Sequence, residues 1–525
     1  MRALHDAVLF DRDGTLVVDV PYNGDPALVR PMPGARAALD RLRSAGLRLG
    51  VVTNQSGLAR GRFTRAQLEA VHSRVEELLG PFHVWRICPH DDAAGCRCRK
   101  PAPGLIEDAA AALGTVPQRC IVVGDIGRDM VAAGAAGAAG ILIPTPVTLP
   151  PEIAAAPAVV ADLPAAAELI LERQRLVTPC SVRERAGTVL VVRADSAGDV
   201  LVTGPGIRAV AASAERVVLL CGPRGRAAAE LLPGVAEIVE ARLPWIDPRP
   251  APVDAAYVRE LTAQLAGIGA DEAIIFTSYH QSALPLALLL RAVGIGRITA
   301  ISEDYPGSLL DVRHRVPVGL PEAERARSVA AAAGFALPDT DDGGMRIVPG
   351  PVRDRGDYIV VHPGASVAAR SCPPETMRAV VAALAAAGHR VVVTGGPEER
   401  DLAAFVAAQV AADAGLLSLP ALADLLAGAA CVIVGNTGPA HLAAAVGTPV
   451  VSLFAPTVPF GQWGPYRVPH VRLGDAEAPC RDTRDTRCAV PGHPCLTTIR
   501  PAEVLAALRL LGVRAPEQRR EEVAA

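Results

Sequence analysis

Short apolar segments, each followed by glycine or polar residues, recur along the chain and alternate with helical stretches. They lie at 8–10, 122–124, 188–192, 217–220, 272–276, 298–301, 358–361, 390–394, 431–434 and 449–453. Strands that alternate with helices form parallel sheets, because a parallel connection needs a crossover about as long as a helix. We therefore predict an α/β protein of doubly wound sheets, with ligands bound where the strands end.

The length, charge and cysteine content of the chain limit the number of its domains and the kinds of partner and location that we expect. The 525 residues correspond to roughly three domains. The formal net charge is −3 and the basic residues are dispersed, which argues against a nucleic-acid partner. The sequence contains neither a leader before the first strand nor a run of about 18 apolar residues, so we predict no transmembrane segment. Eleven cysteines, mostly scattered, are compatible with the cytoplasmic location that we expect.

Two breaks interrupt the alternation of strands and helices. Residues 147–187 are rich in proline and alanine, with one helix expected at about 164–176, and residues 336–356 are irregular and charged. Such changes of composition mark boundaries between domains. We expect domains at 1–146, 188–345 and 346–514, a linker at 147–187 and a charged tail at 515–525.

The first strand runs directly into two carboxylates, in the sequence Val-Leu-Phe-Asp-Arg-Asp-Gly-Thr at 8–15. Asp11 can attack a phosphorus atom, while Asp13 can protonate the leaving alcohol and later deprotonate water. The flanking backbone can help to hold a divalent cation that shields the phosphate. A second strand ends in acids at 124–129, and Lys100 is available to pair a phosphate. The alternative is that both strands end in solvated acids at ordinary turns.

A metal site is predicted in the same region, in an eleven-residue loop. Its ligands are Cys88, His90, Cys96 and Cys98. Three thiolates and one imidazole match a closed tetrahedral zinc site, which is structural because no position remains for water or substrate. Arg99 and Lys100 follow at once, so the metal shapes a loop that presents two cations. The alternative is a group of reduced surface cysteines with a chance histidine.

These motifs resemble the haloacid dehalogenase (HAD) superfamily, and within it the D,D-heptose 1,7-bisphosphate 7-phosphatase branch, with histidinol-phosphatase as a sister. The resemblance covers about residues 5–145. It is carried by DRDGT (11–15), TNQSG (53–57), CPH…CRCRKP (88–101) and GDIGRDM (124–130). It implies a HAD-like Rossmannoid domain that hydrolyses a heptose bisphosphate with Mg²⁺ and carries a Zn²⁺ loop.

The resemblance also implies roles for single residues. Asp11 is the nucleophile and Asp13 the acid and base, and magnesium is held by Asp11, the Asp13 backbone and Asp125. The residues expected to hold the substrate are Thr53, Asn54, Gln55, Arg99 and Lys100. Ile126 departs from the pattern, because relatives often carry a polar or basic residue there.

The second half of the chain carries glycine turns after its strands. A Gly-Asp pair at 198–199 brings a carboxylate to a strand end, and further turns lie at 362–366, 394–398 and 435–441. Free N–H groups and helix dipoles at such turns favour an anion. We expect the last three turns to converge, at helix N-termini, on a site for a diphosphate. The alternative is that each glycine only satisfies the geometry of its turn.

These turns resemble glycosyltransferase family nine, the lipopolysaccharide heptosyltransferases. The match covers about 188–512 and is carried by R-x4-G-D-V-L (193–201), HPGAS (362–366), TGG-x-E (394–398) and the block at 436–457. It implies a two-lobed GT-B fold that follows the HAD-like domain. It also implies an ADP-heptose donor, a glycan or lipid-linked acceptor, and a metal-free inverting displacement.

Within this second resemblance, Asp199 is the base that deprotonates the acceptor hydroxyl. The residues expected to face the donor nucleotide are Ser366, Arg370, Thr437, Gly438 and His441. Arg370 replaces the lysine of many relatives, and Asn436 replaces an aspartate. These two departures leave open whether the nucleotide is ADP or GDP.

Our leading interpretation is a bifunctional enzyme of heptose metabolism that binds a heptose bisphosphate and a nucleotide-activated sugar. Two alternatives stay open: a phosphatase for histidinol phosphate or another sugar phosphate, and a second half that binds nucleotide sugars without catalysis.

A further group of possible metal ligands lies near the C-terminus. It comprises Cys480, Cys488, His493 and Cys495. Their loose spacing favours reduced thiols over a second zinc site.

Overall fold

The computed structural model describes residues 3–278, 280–348, 355–408 and 410–515. Within these residues the strands form three parallel sheets, each covered by helices. The predicted α/β class is confirmed. Residues 516–525 of the expected charged tail lie outside the described part of the chain.

The first sheet has the strand order β3-β2-β1-β4-β5. Its strands are β1 (Ala7–Phe10), β2 (Arg48–Asn54), β3 (Val84–Cys88), β4 (Cys120–Gly124) and β5 (Ala139–Leu142). Its helices are α1 (Ala35–Ser44), α2 (Arg65–Leu79), α3 (Gly104–Ala112), α4 (Gly127–Ala136), α5 (Pro150–Ala155) and α6 (Leu163–Leu176). Every residue of β1 and β4 is buried, as expected for central strands with both faces covered.

The second sheet has the order β11-β10-β9-β6-β7-β8. Its strands are β6 (Ala186–Arg193), β7 (Ala214–Cys221), β8 (Glu237–Glu240), β9 (Glu272–Ile275), β10 (Arg297–Ile301) and β11 (Val312–His314). The helices are α7 (Ala197–Ala211), α8 (Arg226–Ala229), α9 (Ala255–Ile268), α10 (Leu284–Ala292) and α11 (Glu322–Ala332).

The third sheet repeats this order as β14-β13-β12-β15-β16-β17. Its strands are β12 (Tyr358–His362), β13 (Arg390–Gly395), β14 (Ala412–Leu416), β15 (Cys431–Gly435), β16 (Val450–Leu453) and β17 (His470–Leu473). The helices are α12 (Pro374–Ala386), α13 (Arg400–Ala407), α14 (Leu419–Ala427), α15 (Gly438–Ala445), α16 (Phe460–Trp463), α17 (Pro494–Thr497) and α18 (Pro501–Leu510).

Each sheet reverses its winding between two adjacent central strands: β1 and β4, β6 and β9, and β12 and β15. A crevice opens at the carboxyl ends of such a pair, where the two connections leave in opposite directions. The candidate site residues of this chain follow these strands.

The proline- and alanine-rich segment 147–187 is partly helical. Helix α6 is capped by Asp162, whose side chain accepts a hydrogen bond from the Ala165 backbone at 2.8 Å. The helix buries Leu163 and Ile170 in the core of the first sheet. The expected helix at about 164–176 is therefore present, and it packs against α1 rather than crossing solvent.

The first sheet also contacts the third. Helix α4 packs along β17, and a Cβ atom added to Gly134 would lie 3.0 Å from the carbonyl oxygen of His470. Glycine at this position permits close approach of the two backbones. As for membrane insertion, every helix in the described ranges is too short or too polar to cross a bilayer.

Candidate active sites

The first site forms where β1 and β4 end side by side. Asp11 follows β1, and its backbone N–H donates to the Val123 carbonyl of β4 at 2.9 Å. The buried Lys100 ammonium donates to Asp11 Oδ1 at 2.6 Å and to Asp129 Oδ1 at 2.5 Å. Asp125 directly follows β4. The structure thus gathers three acids and one lysine from distant parts of the sequence.

This cluster fits a divalent cation. Carboxylate oxygens of Asp11, Asp125 and Asp129 all lie within 4.8 Å of one another. Burial, together with neighbouring acids, raises the pKa of Asp125 to about 8 and also raises that of Asp11. A cation with a preference for oxygen ligands keeps such acids ionised. Gly14, at φ +77°, allows Asp125 to approach the backbone of the 11–15 segment closely, because a Cβ atom at position 14 would lie 2.8 Å from Asp125 Cγ.

Asp13 lies in different surroundings from Asp11. Arg12 donates to both of its oxygens, at 2.9 and 2.8 Å, and Gln55 Nε2 donates to Oδ2 at 2.8 Å. The Arg12 side chain is buried, whereas about a quarter of the Asp13 side chain, 26%, stays exposed to a ligand. Sequence reasoning missed Arg12 and did not include Asp129 among the site residues, although both lie inside the quoted motifs.

The other predicted substrate-binding residues of this site make contacts within the protein. Asn54 exchanges two hydrogen bonds of 3.1 Å with the Lys100 backbone, so it fixes that lysine. Thr53 is buried and accepts a hydrogen bond from Gln55 at 3.1 Å. Arg99 donates to Asp92 at 2.9 Å and to the His90 carbonyl, which directs its guanidinium along the cysteine loop.

The four predicted metal ligands of that loop come together. Sulfur–sulfur distances among Cys88, Cys96 and Cys98 are 3.3–3.7 Å, and His90 Nδ1 lies 3.3 Å from the sulfur of Cys98. A tetrahedron with bonds of about 2.3 Å has edges of ~3.8 Å, so the donor set fits zinc. Burial and the neighbouring thiols raise the pKa of Cys98 to about 12, and a bound cation favours its thiolate.

The second site begins at the N-terminus of α7. Asp199 accepts hydrogen bonds from Ser196 Oγ at 2.6 Å, from the Ser196 backbone at 3.2 Å and from Arg193 Nη2 at 3.0 Å. Burial acts to raise the pKa of Asp199, but Arg193 and Ser196 outweigh it and lower the pKa. Asp199 therefore stays ionised at neutral pH.

The two lobes of the second half meet at this carboxylate. A Cβ on Gly198 would lie 3.3 Å from the Cα of Gly438, at the start of α15, and 3.2 Å from the ring of His441. Burial lowers the pKa of His441 to about 4, so its imidazole is neutral. Thr437 precedes α15 and its side chain makes no capping hydrogen bond. The predicted Asp199, Thr437, Gly438 and His441 thus come together where the two lobes meet.

One expectation about the glycine turns was wrong. Only the turn before Gly438 opens an α-helix directly. The turn at 394–398 leads through a short 3₁₀ segment into α13, and the turn at 362–366 is followed by a 3₁₀ segment at 368–370, with α12 starting only at Pro374. Proline-rich sequence after Arg370 delays that helix, because proline is favoured only in a first helical turn.

The two remaining residues predicted to face the donor nucleotide follow β12. Ser366 is exposed, and Arg370 lies close enough to Asp199 for their charges to interact. Within the described residues, buried nitrogen atoms of Arg370, Asn436 and His441 have no hydrogen-bond partner in the protein. Glu399, which sequence reasoning missed, accepts a hydrogen bond from the Gly396 backbone at 2.7 Å and lies 3.7 Å from His362 Nε2.

The C-terminal cysteines are arranged differently from those of the first loop. His493 faces the Ala369 carbonyl at 3.2 Å, and the sulfur of Cys488 faces the Val490 carbonyl at 3.4 Å. The described residues bring Cys480, Cys488, His493 and Cys495 into no cluster of metal ligands.

Comparisons with known proteins find relatives for both halves. The model of "Glycosyltransferase family 9 (heptosyltransferase)" matches residues 258–492, and a HAD-hydrolase-like model matches 97–166. The D-glycero-beta-D-manno-heptose-1,7-bisphosphate 7-phosphatase of Bordetella bronchiseptica is 37% identical over 143 residues, which are 26% of this chain and 80% of that protein. The protein of the same name from Salmonella typhi is 37% identical over 176 residues, 30% of this chain and 94% of that one.

A solved structure supports the fold of the second half. The glycosyl transferase family 9 protein of Veillonella parvula matches 63% of this chain and 98% of its own length, with 17% identity and a TM-score of 0.50. At this identity the likeness shows the fold alone. The predicted architecture, a HAD-like domain followed by a two-lobed glycosyltransferase, is confirmed.

Proposed function

Because the chain belongs, through its N-terminal part, to the D-glycero-beta-D-manno-heptose-1,7-bisphosphate 7-phosphatase family and continues into a glycosyltransferase family 9 domain, we propose that it serves heptose metabolism at two points. It is a phosphatase and a glycosyltransferase. The first site removes the 7-phosphate of D-glycero-D-manno-heptose 1,7-bisphosphate. The second transfers heptose from a nucleotide-heptose, with ADP or GDP as the nucleotide, to a glycan or lipid-linked acceptor.

The observation that carries the phosphatase assignment is the Lys100 ammonium between Asp11 and Asp129. Asp11 attacks the phosphorus atom, the bond to the sugar oxygen breaks, and Asp13 gives its proton to that oxygen. Asp13 then removes a proton from the water that hydrolyses the aspartyl-phosphate on Asp11. Mg²⁺, when bound by Asp11, Asp125 and the Asp13 backbone, shields the charge of the phosphate.

The cysteine loop supports this site from outside. We propose that Cys88, His90, Cys96 and Cys98 hold a structural zinc ion, since all four positions of a tetrahedron are filled by protein. The loop carries Arg99 and Lys100 at its end. Zinc, when bound, would thereby stabilise the segment that presents these cations to the substrate. Thr53 and Asn54, at the end of β2, and Gln55, which follows it, would border the substrate.

In the transferase, Asp199 takes the proton of the acceptor hydroxyl as that oxygen attacks the anomeric carbon from the face opposite the leaving nucleotide. Arg193 keeps Asp199 ionised until this step. The bond to the nucleoside diphosphate breaks. The negative charge of the leaving diphosphate is stabilised by the N-terminus of α15, at Thr437 and Gly438, and by Arg370. Ser366 and His441 border the nucleotide. This half needs no metal.

We further propose that both reactions take place in the cytoplasm, on the domains at 1–146, 188–345 and 346–514. The mostly scattered cysteines support this location. Helix α6, within the segment 147–187, supports a close association of the first domain with the transferase.

Two variants of the full chain test the assignment, and each serves as the control for the other. Asp11→Asn abolishes phosphate release from the heptose bisphosphate, because an amide cannot form the aspartyl-phosphate, and leaves sugar transfer intact. Asp199→Asn abolishes transfer from ADP-heptose but leaves nucleotide binding, measured by calorimetry, and phosphate release unchanged. Faster hydrolysis of histidinol phosphate by the wild type contradicts the first substrate. Full transfer by Asp199→Asn contradicts the second mechanism.

A further inference from the structure

The first turn of helix α11 carries two buried glutamates that face opposite directions. Glu322 is 3% exposed and Glu324 is 1% exposed. Residues two positions apart in an α-helix point about 200° away from each other, so one helix end can contact two separate surfaces. Here one surface belongs to the phosphatase domain and the other to the transferase site.

Glu324 faces the phosphatase domain. Arg173 of α6 donates to its two oxygens at 2.8 and 2.6 Å, and the pair is buried on both sides. Tyr466 of the third-sheet lobe donates to the same carboxylate at 3.2 Å. Bidentate pairs of this kind fix orientation as well as distance. Arg173 therefore fixes the start of α11 relative to the first domain.

Glu322 faces the transferase site. Its Oε1 accepts a hydrogen bond from Gln462 at 2.6 Å, and its Oε2 lies 3.9 Å from Arg193 Nη2. The same Arg193 nitrogen donates to Asp199 at 3.0 Å and to Ser278 at 2.9 Å. The guanidinium that orients Asp199 is therefore in contact, through Glu322, with the helix end that Arg173 holds.

We propose that Arg173 of α6, the helix that packs in the core of the phosphatase domain, is a positioning residue for sugar transfer, acting through Glu324 and the first turn of α11 on Arg193 and Asp199. The inference rests on the proposed role of Asp199 as base. Removal of the Arg173 charge leaves Glu324 buried without its main partner, which strongly destabilises its present position. The start of α11 moves with Glu324, and Asp199 loses its orientation. The residues of the phosphatase site lie outside this chain of contacts.

The test compares Arg173→Met and Arg173→Lys with a matched control, Arg175→Met, in the full chain. Arg175 lies on the same helix but is 62% exposed and pairs with the exposed Glu168. We expect Arg173→Met to lower kcat of transfer about 10-fold or more, since small misplacements of reacting groups have large effects. KM for the nucleotide-heptose and phosphate release stay within about 2-fold, and Arg173→Lys recovers part of the rate.

Three outcomes overturn the inference: unchanged transfer in Arg173→Met, a parallel loss of transfer and hydrolysis, or a rise in KM alone. If Arg173→Met does not fold, Glu324→Gln, which keeps the side-chain shape, must show the same selective loss of kcat. The proposed function fails separately, if Asp199→Asn transfers sugar at the wild-type rate. Loss of transfer in Asp199→Asn with normal transfer in Arg173→Met overturns this inference alone.

Discussion

At the scale of single residues, the motif Asp-Arg-Asp at 11–13 places three charged side chains in a row, and its two aspartates pair with different cations. Asp11 pairs with Lys100, whereas Asp13 is held by Arg12 through two hydrogen bonds. Arg12 is 1% exposed and belongs to the largest fully buried side chains of the described protein. Its Nε and Nη2 atoms donate to the two oxygens of Asp13 and so fix that carboxylate, whereas its buried Nη1 atom has no hydrogen-bond partner within the described residues.

We predict that Arg12→Lys lowers kcat of phosphate release about 10-fold, with little change in KM, because a lysine cannot hold both oxygens of Asp13. The free energy of unfolding should fall by about 1–3 kcal/mol through the lost charge-assisted bonds. Steady-state kinetics and thermal unfolding measure the two effects. Arg74→Lys, at an exposed pair with Glu77 on α2, is the control. A variant with wild-type kcat shows that Asp13 needs no such support.

At the scale of elements, the loop between β3 and α3 shows what can and cannot be predicted. The spacing of its cysteines and histidine was sufficient to predict that four ligands come together, since they are close in sequence. The same spacing did not reveal Asp92, which accepts hydrogen bonds from Arg99 at 2.9 Å and from Arg128 of α4 at 3.0 Å. That contact depends on how two elements pack, which local sequence does not encode.

The zinc loop yields a prediction of its own. Wild-type protein should carry about one zinc ion per chain after dialysis, and Cys96→Ser should retain much less, because the loss of one ligand opens the closed site. We also expect a higher KM for the heptose bisphosphate, since Arg99 and Lys100 follow the loop. Elemental analysis and phosphate-release assays measure these effects, with Cys180→Ser, an exposed thiol outside the cluster, as the control. Equal zinc contents in the two variants are the contradictory result.

In the rest of the chain, too, features that depend on neighbouring residues were predictable, and contacts between distant segments were not. Strands such as β6 and β15 were predictable because a buried parallel strand is a continuous apolar run. The positions of Asp11 and Asp125 were predictable because they directly follow such strands, whereas Asp199 lies in the first turn of α7. The contacts of the α11 glutamates were not predictable, since the sequence of a helix does not show that Glu324 pairs with Arg173 of α6 while Glu322 contacts Arg193 and Gln462. Their contacts are known only once the domains are packed.

At the scale of the whole molecule, residues 147–187 were expected to be a linker with one helix, and that helix, α6, packs in the core of the first sheet and makes a buried contact with α11. The Arg173–Glu324 pair joins the phosphatase domain to the transferase in a region shielded from water. Removal of one partner from such a buried pair strongly destabilises a protein. The stability of the assembled chain should therefore depend on the ionisation of Glu324.

The pH dependence of this pair gives the last prediction. Burial acts to raise the pKa of Glu324, but Arg173 outweighs it, so the pKa is lowered from its ordinary value of 4.5. A carboxyl whose pKa is lower in the folded state stabilises the protein above its unfolded pKa, about 4.3, and loses that effect as the pH falls through the folded value. The difference in Tm between wild type and Glu324→Gln should thus be large and constant from about pH 7 to 5. It should shrink as the pH falls below about 4.3, where the unfolded carboxyl takes up a proton, and the folded carboxyl follows at a lower pH and then resembles the neutral amide. Thermal unfolding across this range measures the difference, and Glu168→Gln, at an exposed pair that water screens, should change Tm little at any pH. If the difference in Tm stays constant down to pH 3, the lower Tm of Glu324→Gln comes from altered packing and not from loss of the Arg173–Glu324 ion pair.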